Sequence, residues 1–173
     1  GWRAVAVLLR LLRDKIALYT SAQNGSRIGA IQDLQRLTVS LRGGFEQQAH
    51  CQLFRFTGQL DAYSDKQFGE FIASHRGMGQ PMVIDLSHID FIDSSGLGAL
   101  VQLAKQCNDQ AMQFLVVGNA RVVQTVKLVR LEQFLHLQPD LDTALGAIAA
   151  EWLAAVPAAA IPTELGPLQL AWL

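Results

Sequence analysis

Residues 81–107, PMVIDLSHIDFIDSSGLGALVQLAKQC, determine the fold that the sequence predicts. The stretch begins with an apolar run at 82–84 and continues with a second apolar patch at 89–92. After the residues DSSG at 93–96, apolar residues recur every three or four positions, which is the spacing of a helix face. The stretch therefore predicts a strand, a short connection and a helix with two serines at its start.

The serines at the predicted start of this helix allow two interpretations. Ser and Asp are preferred there because their side-chain oxygens accept hydrogen bonds from the free backbone N–H groups of the first turn. The same N–H groups, together with the helix dipole, also favour an anion. A serine hydroxyl at this place is therefore either a helix cap or a phosphorylation site.

A longer string favours the second interpretation. Residues 90–100, DFIDSSGLGAL, resemble the signature of the STAS domain, which occurs in anti-sigma-factor antagonists and at the cytoplasmic ends of sulfate transporters. In the antagonists the serine directly after the aspartate is the phosphoacceptor, so the resemblance implies phosphorylation of Ser94. We expect Ser95 to be the helix cap, and the residues alone leave the reverse assignment of the two serines open.

A second segment also resembles the family. Residues 57–61, TGQLD, are similar to the Gly-Glu-Leu-Asp turn of STAS domains, with Gln59 in place of the glutamate. In the antagonists the aspartate of that turn lies close to the phosphoacceptor, which implies the same place for Asp61. The alternative is that Asp61 is an ordinary loop aspartate. The residues expected around the phosphoacceptor are Asp61, Asp93, Ser95 and Gly96.

The order of strand-like and helix-like segments predicts the fold class. Two segments at 38–41 and 51–56 have strand character and are expected to form a hairpin, and strands then alternate with helices. Such alternation implies right-handed crossovers between parallel strands. We therefore predict a small STAS-like α/β domain with a mixed four- to five-stranded sheet and helices mainly on one face. Helix starts are assigned to Ser64, in a capping box with Gln67, to Asn119 and to Asp142.

The STAS domain is predicted to cover residues 37–153. Residues 1–36 form an N-terminal extension with a helical pattern at 2–19 and a linker-like stretch at 20–27, and residues 154–173 form a tail. Arginines interrupt the apolar face of the helical pattern too often for a membrane span. Packing on the domain, or no native role, is favoured over contact with a membrane surface or a partner. We expect the extension to be removable with little change in melting temperature.

Composition and residue spacing argue against several classes of function. The formal net charge of −1 does not indicate a nucleic-acid or membrane-surface protein. The four histidines lack metal-ligand spacing, and neither a phosphate-cradling loop nor a Gly-x-Ser-x-Gly motif is present, so we expect no metal, no cofactor and no enzyme. No apolar run is long enough for a transmembrane helix. Cys51 and Cys107 lie in apolar segments and are expected to be buried, reduced thiols of a cytoplasmic protein.

The resemblance implies a regulatory protein controlled by phosphorylation. With Ser94 unphosphorylated, it would bind a serine kinase that also acts as an anti-sigma factor, and a serine phosphatase would restore that state. A phosphoserine carries about 1.5 to 2 negative charges at pH 7, so the nearby carboxylates would repel it and alter the surface shown to the partner. The alternative is a non-catalytic accessory subunit of a membrane transporter or lipid-transport complex, which needs no phosphorylation.

Overall fold

The computed structural model describes residues 3–10 and 34–155, which form one six-stranded sheet and five helices. The strands are β1 (Gln35–Arg36), β2 (Leu41–Gln47), β3 (Gln52–Leu60), β4 (Met82–Ile92), β5 (Phe114–Gly118) and β6 (Leu137–Gln138). The helices are α1 (3–10), α2 (Asp65–His75), α3 (Ser94–Asp109), α4 (Ala120–Leu128) and α5 (Leu141–Ala155). The predicted α/β fold is confirmed, and the sheet exceeds four to five strands because a two-residue strand lies at each edge.

The strands follow one another across the sheet in sequence order. The pairs β1–β2 and β2–β3 are antiparallel, and the pairs from β3 to β6 are parallel, so the sheet is mixed as predicted. The helices α2, α3 and α4 connect successive parallel strands. Parallel pairing places the carboxyl ends of β3 and β4 at the same edge of the sheet, where the candidate site lies.

Two apolar cores lie on opposite faces of the sheet. The larger core contains Phe54 and Phe56 of β3 together with the buried sides of α2, α3 and α4. The smaller core contains Leu53 of β3 and Val83 of β4, covered by α5 through residues such as Ile148. Successive residues of a strand face opposite sides, so the alternation of Leu53 and Phe54 separates the two cores. Three helices therefore cover one face and α5 covers the other.

The first strands differ from the predicted positions. The segment 38–41, expected to be a strand, contains a turn in which Oγ1 of Thr38 accepts hydrogen bonds from the N–H groups of Ser40 and Leu41 at 3.2 and 3.0 Å. The segment 57–60, expected to form a turn after the strand at 51–56, continues β3 as far as Leu60. Pairing of β3 with both β2 and β4 extends this strand, and such long-range pairing is invisible in the local sequence pattern.

The predicted helix start at Asn119 is confirmed together with its cap, the start at Ser64 is confirmed without the predicted side-chain cap, and the start at Asp142 is wrong. Oδ1 of Asn119 accepts the first-turn N–H of α4 at 3.0 Å. Ser64 precedes α2, but its side chain makes no cap bond because its hydroxyl is bonded within the preceding turn. The cap of α5 is Asp140 and not Asp142: Oδ1 of Asp140 accepts from N–H of Thr143 at 2.7 Å, and this bond lowers the pKa of the Asp140 carboxyl.

The short helix α1 packs against α5. Ala6 is buried, and the guanidinium carbon of Arg10 lies 4.8 Å from the ring centroid of Trp152. The same tryptophan ring packs on His50, with 4.5 Å between the ring centroids. The predicted linker and most of the predicted tail lie outside the described residues. The domain limits therefore stay predictions, although the sheet begins at Gln35, slightly before the predicted limit.

Both cysteines are free and buried, as predicted. Burial raises the pKa of the Cys51 thiol to about 12 and also raises the pKa of Cys107, so neither thiol ionises near neutral pH. Within residues 3–10 and 34–155, none of the helices has the length and apolar character that crossing a membrane requires.

Candidate functional site

The candidate site lies where β3 and β4 end side by side. Leu60 and Ile92, the last residues of the two strands, are register partners, so Asp61 and Asp93 follow at neighbouring positions. The N–H of Asp93 donates to the carbonyl oxygen of Leu60 at 3.3 Å, which extends the contact between the strands by one residue. Parallel pairing therefore brings the two segments that the sequence singled out to one place.

Asp93 caps α3, which corrects the assignment of Ser95 as the cap. Oδ1 of Asp93 accepts a hydrogen bond from N–H of Gly96 at 3.0 Å. Its second carboxylate oxygen, Oδ2, accepts from N–H of Ala62 at 3.3 Å. One carboxylate thus holds the start of α3 and the turn after β3 together.

Gly96 makes this close contact possible. A Cβ atom at this position would lie 2.3 Å from the carbonyl oxygen of Leu60 and 2.9 Å from Cγ1 of Ile92. Any larger residue would force the start of α3 away from the end of β3. The predicted membership of Gly96 in the site therefore has a steric basis: its missing side chain lets the helix approach the strand.

Asp61 and Ser64 form a buried turn beside α3. Oδ1 of Asp61 accepts from N–H of Tyr63 at 3.0 Å. The hydroxyl of Ser64 accepts from N–H of Asp61 at 3.0 Å and lies 2.8 Å from the carbonyl oxygen of Gln59 and 3.1 Å from Oδ1 of Asp61, so it donates to one of these oxygens. Both side chains are buried. The carboxylate of Asp61 is therefore engaged in shaping its own turn.

The two serines occupy the first turn of α3 and differ in accessibility. Ser94, the first residue of the helix, is exposed, whereas Ser95 is half-buried and lines the groove between α2 and α3. Since Asp93 provides the cap, neither serine is needed for that role. Because Ser94 is the more exposed of the two, it is the serine that an external enzyme reaches more easily.

Sequence reasoning missed the role of Ser64. It assigned this residue to a capping box, yet the hydroxyl closes the turn in which Asp61 lies. The spacing of Asp61 and Ser64 could have indicated this role, because Asp and Ser side chains three residues apart often bond to the backbone of the turn between them.

A buried ion pair lies elsewhere on β3 and β4. Nε of Arg55 lies 2.8 Å from Oδ2 of Asp85, which is its register partner. Oδ1 of Asp85 also accepts from the hydroxyl of Ser87 at 2.6 Å and from its N–H at 3.0 Å. Both carboxylate oxygens of Asp85 are therefore satisfied inside the domain, and the pair is a structural element, not part of the candidate site.

The family of this chain follows from its sequence. The family model of the STAS domain matches residues 45–144. This match covers more than half of the 173 residues, so the chain belongs to the STAS domain family.

Solved structures with the same fold include regulators and a transporter. The chain resembles an anti-sigma factor antagonist from Mycobacterium paratuberculosis, with 25% sequence identity and a TM-score of 0.58 over 63% of this chain and 94% of that chain. It also resembles the anti-sigma factor antagonist SpoIIAA in its unphosphorylated form, with 15% identity and a TM-score of 0.51 over 66% and 98% of the chains. The murine Solute Carrier 26 family member A9 anion transporter matches with 20% identity and a TM-score of 0.51 over 64% of this chain and 19% of that chain. The likeness to SpoIIAA and to the transporter concerns the fold alone.

Proposed function

We propose that this STAS domain protein is a phosphorylation-controlled regulator with Ser94 as its phosphoacceptor. In the unphosphorylated state it binds a serine kinase that also acts as an anti-sigma factor. The observation that carries the proposal is the exposed hydroxyl of Ser94 in the first turn of α3, directly after the Asp93 carboxylate that holds the turn of Asp61. The likeness to the antagonist from Mycobacterium paratuberculosis supports the same class of function.

The site has opposing electrostatic features that suit a switch. The N–H groups of the first turn of α3 and the helix dipole favour a phosphate on Ser94. The phosphate adds about 1.5 to 2 negative charges beside the Asp93 carboxylate, which already accepts hydrogen bonds from Gly96 and Ala62. Repulsion between the two anions acts on Asp93 and, through Ala62, on the neighbouring turn. A change of about 1.4 kcal/mol in the free energy of partner binding alters the affinity tenfold, so the switch needs no refolding.

The proposal includes the remaining features of such a regulator. A serine phosphatase removes the phosphate, and the chain itself catalyses no reaction and uses no cofactor. It acts in the cytoplasm through protein partners and does not bind nucleic acid. Phosphorylation and dephosphorylation of Ser94 are the chemical changes that the site undergoes during the cycle.

Phosphopeptide mass spectrometry of the protein from its native cell tests the proposal. We expect phosphate on Ser94, its loss in Ser94→Ala, and its retention in Ser95→Ala. The folded Ser94→Ala variant should stay in the partner-binding state, and Ser94→Asp should bind the kinase more weakly, although a carboxylate imitates a phosphate only in part. Phosphate on Ser95 alone would reverse the assignment, and a protein that carries no phosphate on either serine under any growth condition is not such a switch.

A second candidate function is that of a non-catalytic accessory subunit of a membrane transporter or lipid-transport complex. The same fold within the anion transporter supports this candidate, because it is compatible with a transporter-associated role. This function requires stable association with a transporter ATPase or membrane component and no change at Ser94. Copurification of such a component with the protein and with Ser94→Ala in equal amounts would favour it over the switch.

A further inference from the structure

Two large apolar side chains are exposed to solvent in the segments at the edge of the sheet where α3 begins. The side chain of Tyr63, in the turn between β3 and α2, is 87% exposed, and that of Phe91, near the end of β4, is 50% exposed. Tyr63 directly follows Ala62, whose N–H binds Asp93, and Phe91 stands three residues before Ser94. The two aromatic residues therefore come from different elements of the edge that presents Ser94.

The position of Ser94 restricts how a kinase recognises it. The serine belongs to a helix whose first turn is fixed by the Asp93 cap and by the contact of Gly96 with the end of β3. A kinase cannot bind this segment as an extended peptide without unwinding α3. Recognition must therefore use side chains that the folded domain presents around the serine.

The carboxylates of the site are poor candidates for that contact. Asp61 is buried and accepts hydrogen bonds within its turn, and both oxygens of Asp93 accept backbone N–H groups. Exposed aromatic side chains, in contrast, supply much of the binding energy of protein interfaces, because a partner can bury their large rings at little cost in side-chain entropy.

We propose that Tyr63 and Phe91 are the apolar anchors with which the folded domain binds the serine kinase that phosphorylates Ser94. This inference rests on the proposed function and specifies the surface that the kinase contacts. The aromatic rings enter apolar depressions on the kinase, and their positions orient the Ser94 hydroxyl toward the transferred phosphate.

The backbone of both anchors is held in place before the kinase binds. The N–H of Tyr63 donates to Oδ1 of Asp61 at 3.0 Å, and Phe91 is the register partner of Gln59 in the sheet. Binding therefore orders little backbone, which favours affinity. Because both side chains are largely outside the cores, their removal should leave the fold intact.

The experiment measures the initial rate at which phosphate appears on Ser94 of the full-length protein after ATP is added to an extract of native cells. The variants are Tyr63→Ala and Phe91→Ala. The matched controls are Met78→Ala and Leu128→Ala, whose side chains are 79% and 77% exposed and lie outside the Ser94 edge of the sheet. We expect each aromatic variant to lower the rate about tenfold or more, as for the loss of an interface anchor, and the controls to match the natural protein. Tyr63→Phe, which keeps the ring, should retain most of the rate.

The possible outcomes separate this inference from the function on which it rests. If Ser94 is phosphorylated and both aromatic variants react as fast as the controls, the anchors are wrong while the phosphorylation switch stands. An equal loss of rate in the Met78 and Leu128 controls would likewise overturn the specific role of Tyr63 and Phe91. If the natural protein gains no phosphate on Ser94, the proposed function fails and the inference fails with it. Thermal melting of each variant, with unchanged midpoints expected, verifies that the rates compare folded proteins.

Discussion

The carboxylate of Asp93 connects three segments of the chain at the candidate site. It caps α3 through Gly96, holds the turn after β3 through Ala62, and follows directly on β4. Ser94 and Ser95 have an intrinsic preference for the helix-cap position similar to that of Asp93. The sequence alone therefore offers three consecutive candidates for the cap. The pairing of β4 with β3 decides between them, because it fixes the chain up to Ile92 and leaves Asp93 as the last residue with extended backbone before α3.

The cap predicts different effects for two neighbouring substitutions. Asp93→Ala should lower the free energy of unfolding by about 1 to 2 kcal/mol, because Gly96 loses the acceptor for its N–H. Ser95→Ala should change it by less than about 0.5 kcal/mol, as for surface substitutions that remove no cap. Urea unfolding of both variants measures the difference. Asp93→Asn, which keeps an acceptor oxygen, serves as the control and should lose less than Asp93→Ala. A larger loss in Ser95→Ala than in Asp93→Ala would return the cap to the serine.

Asp61 acts on recognition through the shape of its turn, because its carboxylate is buried, accepts a hydrogen bond from N–H of Tyr63 and lies 3.1 Å from the hydroxyl of Ser64. Asp61→Ala should remain folded, lose about 1 to 2 kcal/mol of stability through the unpaired turn groups, and bind the partner kinase more weakly. Circular dichroism and partner affinity are measured on the same samples. Asp61→Asn keeps an acceptor for Tyr63 and should restore most of the affinity. Unchanged affinity in a folded Asp61→Ala variant would make Asp61 an ordinary loop residue, and failure of Asp61→Asn to restore binding would point to its charge.

The helices and strands show which parts of the fold the sequence could predict. The run from β4 to α3 was predictable because one segment contains the change from strand to helix periodicity. The family resemblance also implied that Asp61 lies close to Ser94, and the pairing of β3 with β4 places their two segments side by side. The start of β2 was not predictable, because Gly43 and Gly44 suggest a bend in a local reading. They lie inside the strand, where a Cβ atom on Gly44 would come 2.6 Å from the side chain of Leu34. This packing joins residues of separate segments, so the sequence around Gly44 has no strand periodicity from which β2 could be predicted.

The predicted caps of α2 and α5 were wrong because hydrogen bonds of the folded chain, which the local pattern does not show, decide which side chain caps a helix. Asp140 and Asp142 both precede apolar positions of α5, and the helix begins at Leu141, so Asp140 lies outside it and accepts the first-turn N–H of Thr143. Ser64 matched a capping box in spacing, yet its hydroxyl binds the preceding turn. Several local hydrogen bonds of similar strength compete at each helix start, and this competition limits the prediction of helix caps from the sequence.

At the scale of the whole molecule, the two faces of the sheet have different coverings. One face is covered by α2, α3 and α4, which include the site helix, and the other by α5 with the α1 contact at Trp152. The face of α5 therefore connects the N-terminal part of the chain to the domain without touching the candidate site. The predicted extension contacts this second face through Arg10, which lies over Trp152, and its residues Ala6 and Leu34 are also buried.

Two truncations locate the start of the stable domain. Removal of residues 1–33 eliminates the α1 contact with Trp152, worth about 0.5 to 1 kcal/mol as a cation–π pair, so we expect the melting temperature to fall by only a few degrees. Removal of residues 1–36 also eliminates β1 and the buried side chain of Leu34. Burial of a leucine contributes roughly 1.5 to 3 kcal/mol, so this truncation should lower the melting temperature by several degrees more.

Differential scanning calorimetry of the two truncations tests the boundary, with Arg10→Ala in the full chain as the control for the contact between Arg10 and Trp152. We expect this control and the truncation of 1–33 to have similar melting temperatures. Equal melting temperatures for the two truncations would show that β1 and Leu34 add nothing to stability, and would support the predicted limit at residue 37. A large fall on removal of 1–33 would show instead that the N-terminal part is integral to the second face of the sheet, because the cation–π contact of Arg10 with Trp152 is too weak to account for it.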